Sequence, residues 1–444
     1  MTADGKAALI VVDVQNDFCP GGALGVPGGD RLAALIGEAA AGVGTLVATR
    51  DRHPSDHCSF VDQGGTWPPH CIAGTPGAEL HPSVVGLAFD RIQDKGGDPH
   101  REAYSGFDGT PLAGWLRQRG VERVLVSGIA TDYCVRATAL DAIAAGFDTT
   151  VLTDAVAAVD LHPGDGRRAL QEVREAGGRL GRVHLIRGER ELAPLLQDKA
   201  ARLGEVVRVA GRQRVVVGLS GGIDSAVSLA LAGQAVGVEN VTAVRMPSRH
   251  TDQVHLDDAA GVAEAVGLPG SNLLTISIEP ILEGVATARR SIAEGARRFG
   301  NASARARMIV LFDVAAELHA LVCGTENRSE NLLGYFTRFG DAASDIEPIH
   351  DLYKTEVWTA ARLLGVPETV IAKHPTAGLW GGQTDEDELG FSYRDADPVL
   401  VCLYELGLDI RQAAGRTGLP ADVVEKVKRH ADSVAWKHVV PHAV

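Results

Sequence analysis

The chain alternates short, unbroken apolar runs with longer segments of mixed polarity. Ala7-Ala-Leu-Ile-Val-Val-Asp13 is apolar until it ends on a carboxylate. That is the pattern of a strand buried on both faces of a parallel sheet, with Asp13 at its C-terminal end. Thr45–Thr49, Arg123–Ser127 and Thr149–Leu152 are further strand candidates, and helical stretches such as Asp30–Ala41 and Val135–Ala145 lie between them. Strand–helix alternation predicts a doubly wound α/β sheet. In such sheets active groups collect at the carboxyl ends of the strands. The pattern restarts near residue 188. Glu189–Ala210 reads as a charged helix, Arg214-Val-Val-Val-Gly-Leu-Ser220 as a second opening strand, and Ala226–Ala235 as the helix after it. The expected boundary falls at 188–192, giving domains 1–188 and 189–444, each a parallel-sheet α/β domain and the second with a helical C-terminal portion.

Length and composition narrow the picture. At roughly 150 residues per domain, 444 residues allow about three domains or two large ones. The apolar share of 45% and charged share of 23% are those of an ordinary globular protein and argue against extended disorder. A formal charge of −14 argues against a general nucleic-acid binder, since no basic face is available for phosphates, but a few local arginines can still hold a small anion. The six cysteines form no CxxC pair and suggest no disulfide framework, which fits a reducing cytoplasm. The first residues lack a basic segment followed by an apolar one, and no run of about 18 apolar residues occurs. Neither a secretory leader nor a membrane span is therefore expected.

Candidate chemistry in the first half begins at Asp51-Arg-His53. Residues at i and i+2 on an extended segment share a face, so one carboxylate and one imidazole can meet a single cation. His70, in Trp67-Pro-Pro-His-Cys71, is a candidate third ligand and His57 a further one. Two histidines and a carboxylate suit Zn²⁺, Fe²⁺ or Mn²⁺; the alternative is a surface aspartate with hydrogen-bonded histidines. Cys134, in Ser127-Gly-Ile-Ala-Thr-Asp-Tyr-Cys134-Val, is placed just after a strand at a helix start. Helix-terminal N–H groups there stabilise a thiolate and can form an oxyanion hole; a buried structural cysteine is the alternative.

Taken together, Val11-Val-Asp13-Val-Gln-Asn-Asp-Phe18, Asp51-Arg-His53-Pro, Trp67-Pro-Pro-His70-Cys71, Asp94-Lys95-Gly96 and Gly128-Ile-Ala-Thr-Asp-Tyr-Cys134-Val resemble the nicotinamidase/pyrazinamidase group of isochorismatase-like hydrolases, over roughly residues 7–187. The resemblance implies that Cys134 attacks the carboxamide, Asp13 takes its proton, and Lys95 steadies the charged pair. It implies that Asp51, His53 and His70 hold a divalent transition metal whose open position accepts the pyridine nitrogen of nicotinamide. It further implies a cis Ile129–Ala130 peptide, with the N–H groups of Ala130 and Cys134 facing the oxyanion. The chemistry is coherent without the resemblance, because an amide is a poor electrophile and needs a thiolate, a base and an oxyanion site.

In the second half, the strand ending at Leu219 runs into Ser220-Gly-Gly-Ile-Asp-Ser225 and then a helix. Glycines at such a turn let backbone N–H groups approach a phosphate, and no lysine completes a Walker motif. The string is similar to the PP-loop of ATP pyrophosphatases. Gly300-Asn-Ala-Ser-Ala-Arg305-Ala-Arg307-Met308, Gly324-Thr-Glu-Asn-Arg-Ser-Glu330, Gly334-Tyr-Phe-Thr-Arg-Phe-Gly-Asp341, Asp351-Leu-Tyr-Lys354-Thr-Glu-Val357 and Pro375–Gly390 resemble NAD synthetase over nearly all of 190–444. This implies that Ser220, Gly221, Gly222, Asp224 and Ser225 cradle the ATP phosphates, and that Asp224 and Glu330 bind Mg²⁺. By the same resemblance Thr325, Lys354 and Thr376 contact ATP, while Arg305, Asp345 and Lys437 contact deamido-NAD. Two departures stand out: Arg338 where many members have lysine, and Trp436 where many have histidine.

No nitrilase-like amidase is visible, so the resemblance implies the ammonia-dependent type of synthetase, and the resemblance to that type in turn implies at least a homodimer. The fusion then reads as a salvage enzyme with nicotinamide, deamido-NAD, ATP and ammonia as small-molecule partners. The alternatives are a broader amidase that mainly supplies ammonia to the synthetase, or one half retained as a non-catalytic regulatory module.

Overall fold

A computed structural model describes residues 4–289, 295–375 and 385–438. The chain divides into two compact units, Met1–Leu185 and Ile186–Val444. The first is built on a six-stranded sheet: β1 (Asp4–Val12), β2 (Val43–Asp51), β3 (Arg91–Lys95), β4 (Arg123–Ile129), β5 (Asp148–Ala157) and β6 (Arg179–Gly181), in the order β3-β2-β1-β4-β5-β6. Every strand pairing is parallel. The apolar run of β1 explains the layering. Side chains alternate across a strand, so Leu9 and Val11 enter one core while Ala8, Ile10 and Val12 enter the core on the opposite face. Strand order reverses between β1 and β4, and the crevice beyond their carboxyl ends is where such a sheet places a ligand.

The second unit carries a parallel four-stranded sheet, β7 (Arg214–Gly218), β8 (Val241–Arg245), β9 (Leu273–Thr275) and β10 (Ala320–Cys323), in the order β10-β7-β8-β9. Val215 and Val217 pack to one side and Val216 to the other, so both faces are covered here as well. The reversal lies between β7 and β10. The helix Ile223–Val236 starts directly after the loop that leaves β7, and helices Tyr393–Leu400, Ile410–Thr417 and Ala421–Val434 form the C-terminal portion. Among the described residues no helix is long and apolar enough to cross a membrane.

Candidate functional sites

Sheet register assembles the first site. Asp51 ends β2 and Lys95 ends β3, and the two are paired residues in the ladder. Asp13 follows β1, and Cys134 lies in the turn Thr131–Val135 between β4 and the helix Arg136–Ala144. Four neighbouring strand ends thus bring Lys95, Asp51, Asp13 and Cys134 to one crevice. Lys95 Nζ lies 2.9 Å from Asp13 Oδ2 and 3.6 Å from Cys134 Sγ, and it also binds Asp51 Oδ1. Thr49 donates to Asp13 Oδ1 at 2.6 Å. Asp13 holds a left-handed backbone (φ 48°), an uncommon conformation for a residue with a side chain. The Ile129–Ala130 peptide is cis.

Burial dominates the electrostatics. It pushes the Asp13 carboxyl up, against the pull of Lys95. It pushes the Cys134 thiol well up, again opposed by Lys95 and reinforced by Asp13 and Asp51. Burial acts against charge on Lys95 too, but Asp13 and Asp51 outweigh it and hold the ammonium charged. Lys95 therefore sets an ammonium against both a thiol and a carboxyl whose proton affinities burial raises, a set between which a proton can pass.

The metal candidates converge beside it. Ligand atoms of Asp51, His53 and His70 lie within 4.8 Å of one another. His53 Nδ1 is 2.9 Å from the Gly96 carbonyl and His70 Nδ1 is 2.8 Å from the Pro68 carbonyl. A carbonyl only accepts, so each Nδ1 carries a proton, and in the neutral ring Nε2 is the atom with a lone pair to offer a metal. One ammonium between two buried carboxylates also leaves the group negative in excess, which a cation offsets. Donor set and charge both fit a divalent transition metal. The further candidate His57 does not belong to the cluster. Its Nδ1 faces Ser59 Oγ at 2.7 Å, its Nε2 faces the Arg101 carbonyl at 3.1 Å, and its ring centroid lies 4.1 Å from that of His53 with the planes tilted.

In the second unit, the loop after β7 and the residues after β10 line a cavity of about 310 Å³. Gly221 has φ +78°, and a Cβ there would lie 2.2 Å from the His255 carbonyl oxygen, so only glycine fits. Ser220 and Ser225 hydroxyls lie 3.1 Å apart, and Ser225 donates to the Gly222 carbonyl at 2.9 Å, fixing the turn. Thr325, Glu330 and Lys354 join the lining. Lys354 Nζ sits 2.6 Å from Asp224 Oδ2 and 2.9 Å from Glu330 Oε1. Burial pushes Glu330 up to about 8, with Asp224 and Asp385 adding and Lys354 opposing.

Two residues here were assigned no role from sequence. Asn327 caps the helix Arg328–Leu332 by accepting from Glu330 N, and it donates to Asp224 Oδ1 at 2.8 Å. Its signal was its place three residues before Glu330, the spacing of a helix N-cap. Asp385 lines the cavity, 2% exposed, with Oδ1 buried and lacking a hydrogen-bond partner among the described residues. Carboxylates in surplus around one ammonium fit a divalent cation such as Mg²⁺.

Arg305, Asp345 and Lys437 do not line this cavity. Arg305 is exposed and donates to the Arg338 carbonyl. Asp345 accepts from Val322 N at 2.8 Å, bracing β10. Lys437 binds the carbonyls of Gly334 and Phe336. The departures Arg338 and Trp436 contact each other, the guanidinium lying 5.3 Å from the indole centroid. Thr376 lies outside the described residues.

Residues 195–441 match the family model for NAD synthase, and residues 7–183 match that for the isochorismatase domain. The NH(3)-dependent NAD(+) synthetase of Thermococcus kodakarensis is 46% identical over 226 residues, covering 51% of this chain and 87% of its own. Among solved structures, the pyrazinamidase of Pyrococcus horikoshii in complex with zinc is 49% identical, covering 40% of this chain and 99% of its own, with a TM-score of 0.37. An Acinetobacter nicotinamidase/pyrazinamidase is 38% identical, covering 40% and 97%, with a TM-score of 0.39.

Proposed function

Because this chain belongs to the NAD synthase family and carries an isochorismatase domain ahead of that region, we propose that it is a bifunctional enzyme of NAD salvage. The first unit hydrolyses nicotinamide to nicotinate and ammonia, and the second amidates deamido-NAD with ATP and ammonia. The observation that carries the first half is the single ammonium of Lys95 within reach of both Asp13 and Cys134. Its counterpart in the second half is the glycine-bound phosphate loop opening on the cavity that holds Lys354.

In the hydrolase, Asp13 accepts the Cys134 proton as sulfur attacks the carboxamide carbon. Lys95 limits the cost of separating charge in a buried crevice. The backbone N–H groups of Ala130 and Cys134 face the developing oxyanion. The proton on Asp13 passes to the departing nitrogen, leaving a nicotinoyl thioester, and Asp13 then draws a proton from the water that releases nicotinate. Asp51, His53 and His70 would hold zinc, iron or manganese, which supplies an electrophilic position for the pyridine nitrogen.

In the synthetase, Ser220, Gly221, Gly222 and Ser225 cradle the phosphates, and Lys354 offsets their charge. Asp224 and Glu330 would hold Mg²⁺, which supplies charge neutralisation for the leaving pyrophosphate. The nicotinate carboxylate of deamido-NAD attacks the α-phosphorus, pyrophosphate departs, and ammonia displaces AMP from the acyl-adenylate. Arg305, Asp345 and Lys437 are assigned to the dinucleotide, outside the ATP cavity.

The test is product analysis by mass spectrometry on the full chain. Nicotinamide should yield nicotinate, and deamido-NAD with ATP, Mg²⁺ and ammonium should yield NAD, AMP and pyrophosphate. ADP as the product, or an inert carboxamide, refutes the corresponding half.

A further inference from the structure

The stretch 184–194 falls between the two family matches and belongs to neither. One of its residues is nevertheless built into the second unit. Arg187 donates three hydrogen bonds to the carboxylate of Glu356: its backbone N to Oε1 at 2.9 Å, its Nε to the same oxygen at 2.9 Å, and its Nη2 to Oε2 at 2.6 Å. Nη2 also donates to the Asp351 carbonyl at 2.7 Å. The Glu356 side chain is fully buried and that of Arg187 is 19% exposed.

Glu356 is the third residue of the helix Lys354–Leu363. Its Oε2 also accepts from Tyr353 N at 3.0 Å, at the residue that caps this helix. The first residue of the helix is Lys354, whose ammonium lies in the ATP cavity between Asp224 and Glu330. A chain of direct contacts therefore runs from Arg187 through Glu356 and the cap at Tyr353 to Lys354. Without Arg187, Glu356 would be a buried carboxylate left with the cap N–H, and a buried charge stripped of its partner forces local rearrangement. That rearrangement would fall on the helix turn that aims Lys354.

We propose that Arg187 is a positioning residue of the ATP site, so that the junction between the two family regions is a working part of the synthetase rather than a passive tether. This rests on the reading of the second unit as an ATP-dependent amidating enzyme.

The test compares full-length wild type with Arg187→Met and Arg187→Lys. It uses the KM for ATP in amidation of deamido-NAD, displacement of a fluorescent ATP analogue, and nicotinamide hydrolysis as an internal control. Displacement of Lys354 by a fraction of an ångström should raise the KM for ATP and weaken analogue binding roughly tenfold or more in Arg187→Met. Hydrolysis should stay within about twofold, because Cys134 lies in the other unit. Arg187→Lys keeps the charge but not the two-pronged geometry, so it should recover only part of the affinity. Unchanged ATP affinity in Arg187→Met overturns the proposal, even if thermal stability falls. If that variant does not fold, wild-type ATP affinity in Arg187→Lys overturns it by the same criterion. A wild-type chain that neither binds the analogue nor amidates refutes the underlying reading instead.

Discussion

Gly96→Ala perturbs the proposed metal site without replacing a ligand. A Cβ at position 96 would lie 2.5 Å from His53 Cε1 and 2.8 Å from its Nδ1. Carbon atoms in ordinary contact stand about 3.5–4.0 Å apart, so the imidazole must retreat by about 1 Å. Gly96 also has φ +67°, where an alanine costs about 1–2 kcal/mol. The retreat breaks the 2.9 Å bond from His53 Nδ1 to the Gly96 carbonyl, which fixes the ring's tautomer and aim. Metal–nitrogen bonds are about 2.0–2.1 Å long and tolerate no such displacement. Loss of a comparable supporting bond costs 10–100-fold in metal affinity, about 1.4–2.8 kcal/mol. The assay is elemental analysis of the full chain equilibrated in metal buffers, alongside both activities. The variant should lose metal and nicotinamide hydrolysis together while amidation persists. Wild-type metal affinity in Gly96→Ala would refute the assignment of His53 as a ligand held by this carbonyl.

Further outcomes follow from the same geometry. Lys95→Met leaves Asp13 and Asp51 buried without their shared ammonium, so the first unit should lose about 3–5 kcal/mol in denaturant titration; a loss below about 1 kcal/mol contradicts the buried-triad description. Gly221→Ala places a methyl 2.2 Å from the His255 carbonyl oxygen and should raise the KM for ATP at least tenfold, whereas an unchanged KM removes the loop from the ATP site. Burial lifts the Asp397 carboxyl to about 6 from 3.8, against hydrogen bonds from Ser329 and Thr355. The folded state then keeps a proton that the unfolded state releases. Stability of the second unit should fall as pH rises from about 4 through 6, by about 3 kcal/mol from this group, and level off above. Asp397→Asn should flatten that dependence in thermal unfolding, and an unaltered pH profile would contradict a raised Asp397 carboxyl.

Much of both sites was legible because strand ends are. An unbroken apolar run that stops at Asp13, and a glycine-rich turn after Val215–Gly218, place chemistry at carboxyl ends before any tertiary contact is known. Lys95 was harder to place. Its strand, β3, is at the sheet edge, and Ile92 is 46% exposed, so the segment shows no buried run. The bond from Lys95 to Asp51 depends on the pairing register of β2 with β3, which tertiary packing sets. That bond joins the candidate metal triad to the proposed Asp13–Lys95–Cys134 set and could not be read from either motif alone. Arg305 and Arg307 illustrate the opposite limit. Two residues apart on one helix they point about 200° apart, and of the two only Arg307 lines the cavity beside the glycine loop. Arg187 belongs to no motif, and only the fold brings it to Glu356.

Two separate chemistries on one chain are tested most directly by reciprocal inactivation. Full-length Cys134→Ala and Asp224→Ala should each be assayed for nicotinamide hydrolysis and for deamido-NAD amidation. Cys134→Ala should abolish hydrolysis and leave amidation largely intact, and Asp224→Ala should do the reverse. Hydrolysis that survives without the thiol, or one substitution that silences both reactions, would contradict it.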